Sequence, residues 1–253
     1  MVYFTLTQAP RNLKEGIDWL IAVKGDDGMK NLKSLGTAVY DFLADKPVGF
    51  TEVPALEEVK RISKEFLEQP ELMHQRFVQG LVTRFNKRIG KQFIKYFRFA
   101  IPINESDYAN VVVTRHLLPE KIAENLSNVV TATDLFLDDI KNPDKYKSAY
   151  SSEATWDASC STKPEDCAAI LVGISPMLFS GLLSLQRAGT AANRKWSKAR
   201  KGKRLRELLG ALGYKEEVCR NSISGSDVVS ALRDVKERTL EILYDLCGFW
   251  AFY

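Results

Sequence analysis

The chain has 253 residues, of which 45% are hydrophobic and 27% are charged, and its formal net charge is +4. This composition is typical of a folded globular protein and excludes a largely disordered chain. The small net charge excludes a protein that is basic throughout, so any surface for acidic partners is expected to be local. We predict a single helical domain over residues 1–253, with a weak boundary near residues 143–155.

Amphipathic helices are predicted along the N-terminal part of the chain, after an extended lead-in over residues 1–10. Apolar residues at helical spacing predict a helix that begins at Asn12 or the residue before it. A second helix follows the turn residues 25–28. The same spacing predicts a third helix over residues 55–67 and a long helix over residues 71–100.

Further helices are predicted in the second half of the chain. Pro119 suits the first helical position, so a helix is expected from there to about Ile140. Residues 111–113, three valines, are predicted to be helical because a single strand would have no partner. The rest is predicted as a basic, turn-rich loop, a short helix and a last helix, over residues 189–202, 205–212 and 228–246.

The least polar segment lies within residues 156–185 and has no charged residue from Cys167 to Leu185. It is nearly long enough to cross a bilayer. Its serines, Pro176 and the absence of an aromatic belt instead favour a buried helix that is kinked at the proline. The predicted fold class is therefore all-α, an irregular multi-helix bundle around this buried Pro-kinked apolar helix, without a confidently predicted transmembrane helix.

The densest positive charge follows the apolar segment and surrounds one tryptophan. Clustered lysines and arginines bind phosphate groups, sulfated glycans or acidic lipid headgroups, and the tryptophan could stack or insert. A solvated loop is the commoner role of such a cluster. The candidate residues for binding an anion or a partner are Arg194, Lys195, Trp196, Lys198, Arg200, Lys201, Lys203, Arg204 and Arg206.

The sequence contains no recognised catalytic or cofactor-binding pattern. Its two histidines, His74 and His116, offer little acid–base or metal-binding capacity. The motifs HExxH, CxxC, GxxxxGK and GxSxG are absent. We therefore predict that the chain is not an enzyme and uses neither a metal nor a cofactor.

The four cysteines, Cys160, Cys167, Cys219 and Cys247, form an even set. An even number permits two disulfides, with three possible pairings. Four buried, reduced thiols are equally compatible with the spacing. The spacing alone therefore leaves both states open.

Six blocks of the sequence, in a consistent order, carry a family likeness. Near the N-terminus stands LTQAPRNLKEGIDWLIAVKG, and the central segment contains WDASC, DCAAILVG and PMLFSGLLSL. LRELLGALGY and GSDVVSAL follow. Together these blocks resemble the Babesia variant erythrocyte surface antigen family.

The resemblance implies a parasite protein that is exported to the infected host erythrocyte and is held at its surface or membrane. It implies a non-enzymatic role in antigenic variation and in adhesion to host endothelium. The implied partners are a host receptor, an antibody or a paralogous subunit. A peripheral module that binds acidic lipid or sulfated glycan is the alternative, and nucleic acid is not an expected partner.

Family members commonly lack an N-terminal signal peptide, and no basic segment followed by an apolar one opens this chain. Typical members are longer, contain more cysteine and end in a transmembrane helix, so we expect a short paralogue or a fragment. The outside of a red cell is oxidising, and under this resemblance the expected disulfides are Cys160–Cys167 and Cys219–Cys247. Sequence diversity is expected in the loops at residues 46–54, 142–152 and 188–203.

Overall fold

The computed structural model describes residues 2–87, 103–193, 198–215, 217–220 and 223–253, with the side chains of residues 198–200 outside that description. Within these ranges the chain is helical or irregular. Its two β-bridges, Tyr3 with Tyr150 and Lys141 with Cys219, are isolated pairs. The predicted all-α class is confirmed.

The first helices begin at the predicted signals. Helix α1 spans Leu13–Lys24, and the side chain of Asn12 accepts a hydrogen bond from the backbone nitrogen of Glu15 at 3.0 Å. This bond satisfies one of the free N–H groups of the first turn. Helix α2 spans Gly28–Ala44, and α3 spans Pro54–Leu67 with its proline in the first turn.

The prediction of one long helix over residues 71–100 is wrong, because the helix is interrupted near its start. Helix α4 spans Pro70–Met73 and α5 spans Arg76–Asn86. The backbone nitrogen of Gln75 bonds back to the preceding turn at 3.0 Å, which closes α4 before α5 begins. The remainder of the predicted helix, residues 88–100, lies outside the described residues.

Short helical turns lead into the next long helix. A 3-10 turn spans Glu105–Asp107, and helix α6 spans Val111–Thr114. The side chain of Asn110 accepts bonds from the first backbone nitrogens of α6, so the valine run is helical as predicted. Helix α7 spans Pro119–Ile140, and α8 spans Trp156–Ser159.

The C-terminal half contains the longest described helix and several shorter ones. They are α9 (Pro164–Asn193), α10 (Lys198–Ala211), α11 (Gly225–Ala231), a 3-10 turn (Leu232–Asp234), α12 (Glu237–Leu246) and α13 (Phe249–Phe252). The prediction of a loop over residues 189–202 is wrong at both ends, because α9 continues through Asn193 and α10 begins at Lys198. Residues 194–197 of this predicted loop lie outside the described residues. Lysine, arginine, leucine and alanine are strong helix formers, and here that propensity outweighs the turn signals.

The prediction of one last helix over residues 228–246 is also wrong, because the helix is interrupted in its middle. The 3-10 turn and Val235 separate α11 from α12. The carbonyl oxygen of Val235 accepts a bond from the Gln186 side-chain nitrogen of α9 at 2.5 Å. A side chain of the core helix therefore satisfies a backbone group outside the regular helices.

Helix α9 is the buried centre of the fold. It contacts α1, α2, α3, α10, α11 and α12. Within the described part of the chain it is the one helix long and apolar enough to cross a membrane, and 89% of its most apolar window is buried inside the protein. This burial is that of a core helix, with its neighbours keeping water away from it.

Two buried serine hydroxyls of α9 are satisfied within the helix. The hydroxyl of Ser175 donates to the carbonyl oxygen of Leu171 at 2.7 Å, and Ser180 donates to that of Met177 at 3.1 Å. Pro176 lies inside the helix and has no N–H to donate. The serines are therefore compatible with full burial.

The segment that was predicted as a weak boundary, residues 143–155, is bound to the N-terminal part. The backbone nitrogen of Tyr3 donates to the carbonyl oxygen of Ala149 at 2.7 Å. Buried Asp18 accepts a bond from the hydroxyl of Tyr146 at 2.5 Å and one from the Ala149 nitrogen at 2.8 Å. The division into domains stays a prediction.

The aromatic segment after α12 is anchored in the core. Gly248 has φ of 63°, a conformation that favours glycine, and it turns the chain from α12 into α13. The backbone nitrogen of Gly49 donates to the carbonyl oxygen of Trp250 at 2.9 Å, and that of Thr51 donates to Ala251 at 2.7 Å. These bonds hold α13 against the loop between α2 and α3.

Candidate functional site

One of the two expected disulfides is present. Cys160, directly after α8, is bonded to Cys167 in the first turns of α9, with 6.0 Å between their Cα atoms. Cys219 and Cys247 are free thiols and both are buried. The expected second pair is therefore wrong.

The two free thiols lie in different parts of the core. Cys219 pairs by its backbone with Lys141 after α7, whereas the Cys247 thiol follows α12 and donates to the carbonyl oxygen of Leu243 at 3.3 Å. Burial raises the pKa of the Cys219 thiol to about 11, and burial also raises the pKa of the Cys247 thiol well above its usual value. Both groups are protonated at neutral pH, which makes them poor nucleophiles.

The predicted anion-binding residues lie in and before α10. Three of these candidate residues lie outside the described residues: Arg194, Lys195 and Trp196. Lys198 and Arg200 belong to α10 by their backbone. The structure describes the side chains of the other four candidates, Lys201, Lys203, Arg204 and Arg206.

Three of these cations line a groove between α4, α9 and α10, which we call the basic groove. Its volume is about 910 Å³. Its charged lining residues are Glu71, Arg187, Lys201, Lys203, Arg204 and Glu207, with His74, Gln75 and Ser184 between them. The cations outnumber the carboxylates, so with a neutral imidazole the groove has an excess of positive charge.

Most of that charge has no internal counter-ion. Lys203 Nζ lies 3.8 Å from the carboxylate of Glu207, and both side chains are exposed. Among the described residues, no carboxylate lies within ion-pair distance of Arg187, Lys201 or Arg204. Cations gathered in a recess without counter-ions raise the local concentration of anions.

Some cations elsewhere on the described surface, by contrast, pair with carboxylates. Arg61 lies between Glu58 and Glu65 on α3, with ion pairs to both. Arg233 contacts Asp139 at 2.5 Å. The basic groove therefore differs from these surfaces in its lack of pairing as well as in its number of cations.

Neighbouring side chains hold parts of the groove in place. The guanidinium of Arg187 lies 4.4 Å from the centre of the Phe77 ring, a cation–π contact that orients it. The side-chain nitrogen of Gln75 donates to the hydroxyl oxygen of buried Ser184 at 2.8 Å. These contacts connect the segment from α4 to α5 with α9 along one wall.

His74 is in contact with α10. Its Nε2 atom contacts the guanidinium of Arg204, and its Nδ1 atom lies 3.3 Å from the carbonyl oxygen of Pro70. A guanidinium can only donate hydrogen bonds, so Nε2 is the acceptor and Nδ1 carries the proton. The contact therefore requires a neutral imidazole.

Arg206 lines a separate cleft of about 1220 Å³ on another side of α10, together with Lys215 and Arg220. Arg220 donates to the carbonyl oxygen of Asp138 at 2.9 Å, so part of its hydrogen-bonding capacity is used within the fold. The described part of the predicted basic cluster is thus a helix that presents its cations in two directions.

Sequence reasoning did not include His74, Gln75, Ser184 or Arg187 in the anion-binding set. The groove depends on how α4 and α9 pack against α10, and no spacing along the chain indicates that packing. Within the ranges the structure describes, no three His, Cys, Asp or Glu side chains are grouped to hold a metal ion.

Comparison of the chain with protein-family models, with curated proteins and with solved structures finds no match. The family resemblance remains an expectation from the sequence blocks.

Proposed function

We propose that the chain is a non-enzymatic antigen that a parasite exports to the infected erythrocyte, where it takes part in antigenic variation and in adhesion to host endothelium. The observation that carries the proposal is the disulfide between Cys160 and Cys167. Structural disulfides persist mainly in oxidising compartments outside the cytosol. The infected erythrocyte, as the cell that carries the protein, is inferred from the resemblance of the sequence blocks.

The exposed loops support a role in antigenic variation. In the loop between α2 and α3, Val48 is 56% exposed and Phe50 is 57% exposed. In the loop after α7, residues 143–145 are exposed, whereas Ala149 and Tyr150 are buried. Diversity among paralogues is expected at the exposed positions, because changes there disturb no packing.

Labelling of intact infected cells with a membrane-impermeant amine reagent tests this proposal. We expect the chain to be labelled on intact cells and its label to be removed by external protease. An abundant protein of the parasite cytosol serves as the control and should stay unlabelled. Labelling of the chain only after lysis would contradict surface display.

A second candidate function is peripheral binding of acidic lipid or sulfated glycan. Arg187, Lys201 and Arg204 favour it, since none of them has a carboxylate partner in the part of the chain that the structure describes. Binding through such cations depends strongly on salt, because it releases counter-ions from the polyanion. Heparin affinity and co-sedimentation with anionic vesicles across a salt series measure both classes of ligand.

Paired charge variants make that experiment specific. The double variant Lys201→Gln/Arg204→Gln removes two unpaired cations, and we expect it to leave heparin at lower salt than the wild type. The control, Arg61→Gln/Lys121→Gln, removes the same charge from cations that already pair with carboxylates. Equal losses in both variants, or no binding even at low salt, would reject the basic groove as the site.

A further inference from the structure

We propose that the basic groove is a binding site for a short sulfated oligosaccharide, and that protonation of His74 strengthens this binding. The inference rests on the second function proposed above. It specifies one ligand class and one titrating residue for the same site.

The shape of the groove favours a soluble chain over a bilayer. The cations line a recess of about 910 Å³ between helices, a volume in the range of small-ligand sites. A flat headgroup surface cannot enter such a recess, whereas an oligosaccharide of a few units can lie along it. Peripheral membrane binding also uses apolar side chains beside the cations. Of the exposed large apolar residues in the described chain, Met73 is the one next to a lining residue in sequence.

The donors suit sulfate groups that are spaced along a chain. Arg187 projects from α9 and is oriented by its contact with Phe77. Lys201 and Arg204 approach from α10. Because two helices supply these cations, they can contact separate sulfate groups, and the orientation of Arg187 lowers the entropy cost of binding. Small alanines, Ala188 and Ala191, line the groove between them.

Protonation of His74 changes the charge of the groove. The neutral imidazole accepts from Arg204, and a protonated one cannot. Protonation of the ring therefore breaks this contact and places two cations side by side. A sulfate group can accept a bond from each of them, which offsets their repulsion. The other charged groups that line the groove with His74 are Glu71 on α4, Arg187 on α9, and Lys201, Lys203, Arg204 and Glu207 on α10.

The test uses a fluorescently labelled heparin hexasaccharide and the full chain, with anisotropy measured at about pH 5.5 and about pH 7.5 at constant ionic strength. We expect the wild type to bind several-fold more tightly at the lower pH. His74→Asn should abolish this pH dependence, and His116→Asn, a change in the other histidine, should preserve it. Arg187→Gln should weaken binding by about tenfold, whereas Arg61→Gln should leave it unchanged.

The possible outcomes separate this inference from the function on which it rests. Binding to anionic vesicles without binding to the hexasaccharide would overturn the inference and leave the wider proposal of acidic-ligand binding intact. Hexasaccharide binding with the same pH dependence in His74→Asn would overturn the assigned role of His74. Binding to neither probe would overturn both proposals. Circular dichroism of each variant verifies that it is folded.

Discussion

Gly173 lies where the core helix α9 approaches α3 most closely. A Cβ atom built at this position would lie 2.5 Å from Cγ1 and 2.7 Å from Cβ of Val59. Glycine has no Cβ atom, and this absence permits the close approach of α9 to α3. The carbonyl oxygen of the same residue also accepts a bond from the Ser63 hydroxyl at 2.5 Å.

Gly173→Ala is expected to destabilise the protein by about 1–3 kcal/mol, because the methyl group overpacks the interface with α3. The matched control is Gly210→Ala on α10, where a Cβ atom would meet no neighbour within 4 Å. This change should stabilise the protein by up to about 1 kcal/mol, since alanine favours helix over glycine. Urea unfolding midpoints measure both effects, and equal midpoints would show that α3 does not approach α9 this closely.

The free thiols permit a second prediction for single residues. Because burial raises the pKa values of the Cys219 and Cys247 thiols, little thiolate is present in the folded protein at neutral pH. We expect neither thiol to react with iodoacetamide in the native state, and both to react in denaturant. Mass spectrometry counts the modified sites. Rapid native alkylation of either thiol, or its recovery in a disulfide-linked peptide, would contradict the structure.

At the scale of elements, a buried ion pair joins α5 to the turn that precedes α6. Arg84 Nε lies 2.6 Å from Asp107 Oδ1, and the second oxygen of the carboxylate accepts from the same guanidinium at 2.7 Å. Both side chains are nearly fully buried. The hydroxyl of Tyr244 on α12 donates to the same carboxylate at 2.8 Å, so the pair connects three segments.

Arg84→Met is expected to cost about 3–5 kcal/mol, because it leaves the buried carboxylate of Asp107 without its counter-ion. Arg61→Met on the exposed face of α3 removes two ion pairs but should cost much less than Arg84→Met, since exposed pairs contribute little. Chemical unfolding of both variants gives the comparison. Similar costs would indicate that solvent reaches Arg84 in the folded protein.

The disulfide constrains the entry into α9. Its cysteines are 7 residues apart, and the closed loop joins α8 to the core helix. The Cys160→Ser/Cys167→Ser variant is expected to lose about 2–3 kcal/mol, the entropy that a short closed loop removes from the unfolded chain. Reducing agent should lower the stability of the wild type by a similar amount and leave the variant unchanged. A wild type that does not respond to reductant would contradict this constraint.

For the whole molecule, the buried apolar residues from Tyr3 to Tyr253 form one contiguous cluster. We therefore expect a single unfolding transition, with coincident curves from tryptophan fluorescence and far-UV circular dichroism. Trp19 and Trp250 report on opposite ends of the sequence, and both are buried. Two separate transitions, or early proteolysis within residues 143–155, would instead place a domain boundary there.

Much of the helical pattern could be predicted from local signals. The apolar spacing that begins near Asn12 and the first-turn proline Pro119 closely predicted the starts of α1 and α7, because such signals depend on residues a few positions away. The breaks at Gln75 and Val235 could not be predicted in this way. Each involves a hydrogen bond with α9, through the Ser184 hydroxyl and the Gln186 side chain, and these partners are distant in sequence.

The basic residues of the candidate site were visible in the sequence, but their arrangement was not. The cluster around Lys201 and Arg204 was predicted as a loop that faces solvent. In the fold these residues line one side of a helix, and Arg187 and His74 join them from α9 and α4. Charge density is a property of composition, whereas the absence of counter-ions depends on which carboxylates the packing brings near.

The sequence by itself determined that the protein is helical and that its uncharged segment is buried, because periodic apolar residues and a long charge-free run express these properties locally. The tertiary structure alone decided which cysteines pair, where the helices break and which cations share a groove. Those features depend on distances between segments far apart in the chain, and such distances follow from how complementary helix surfaces pack around α9.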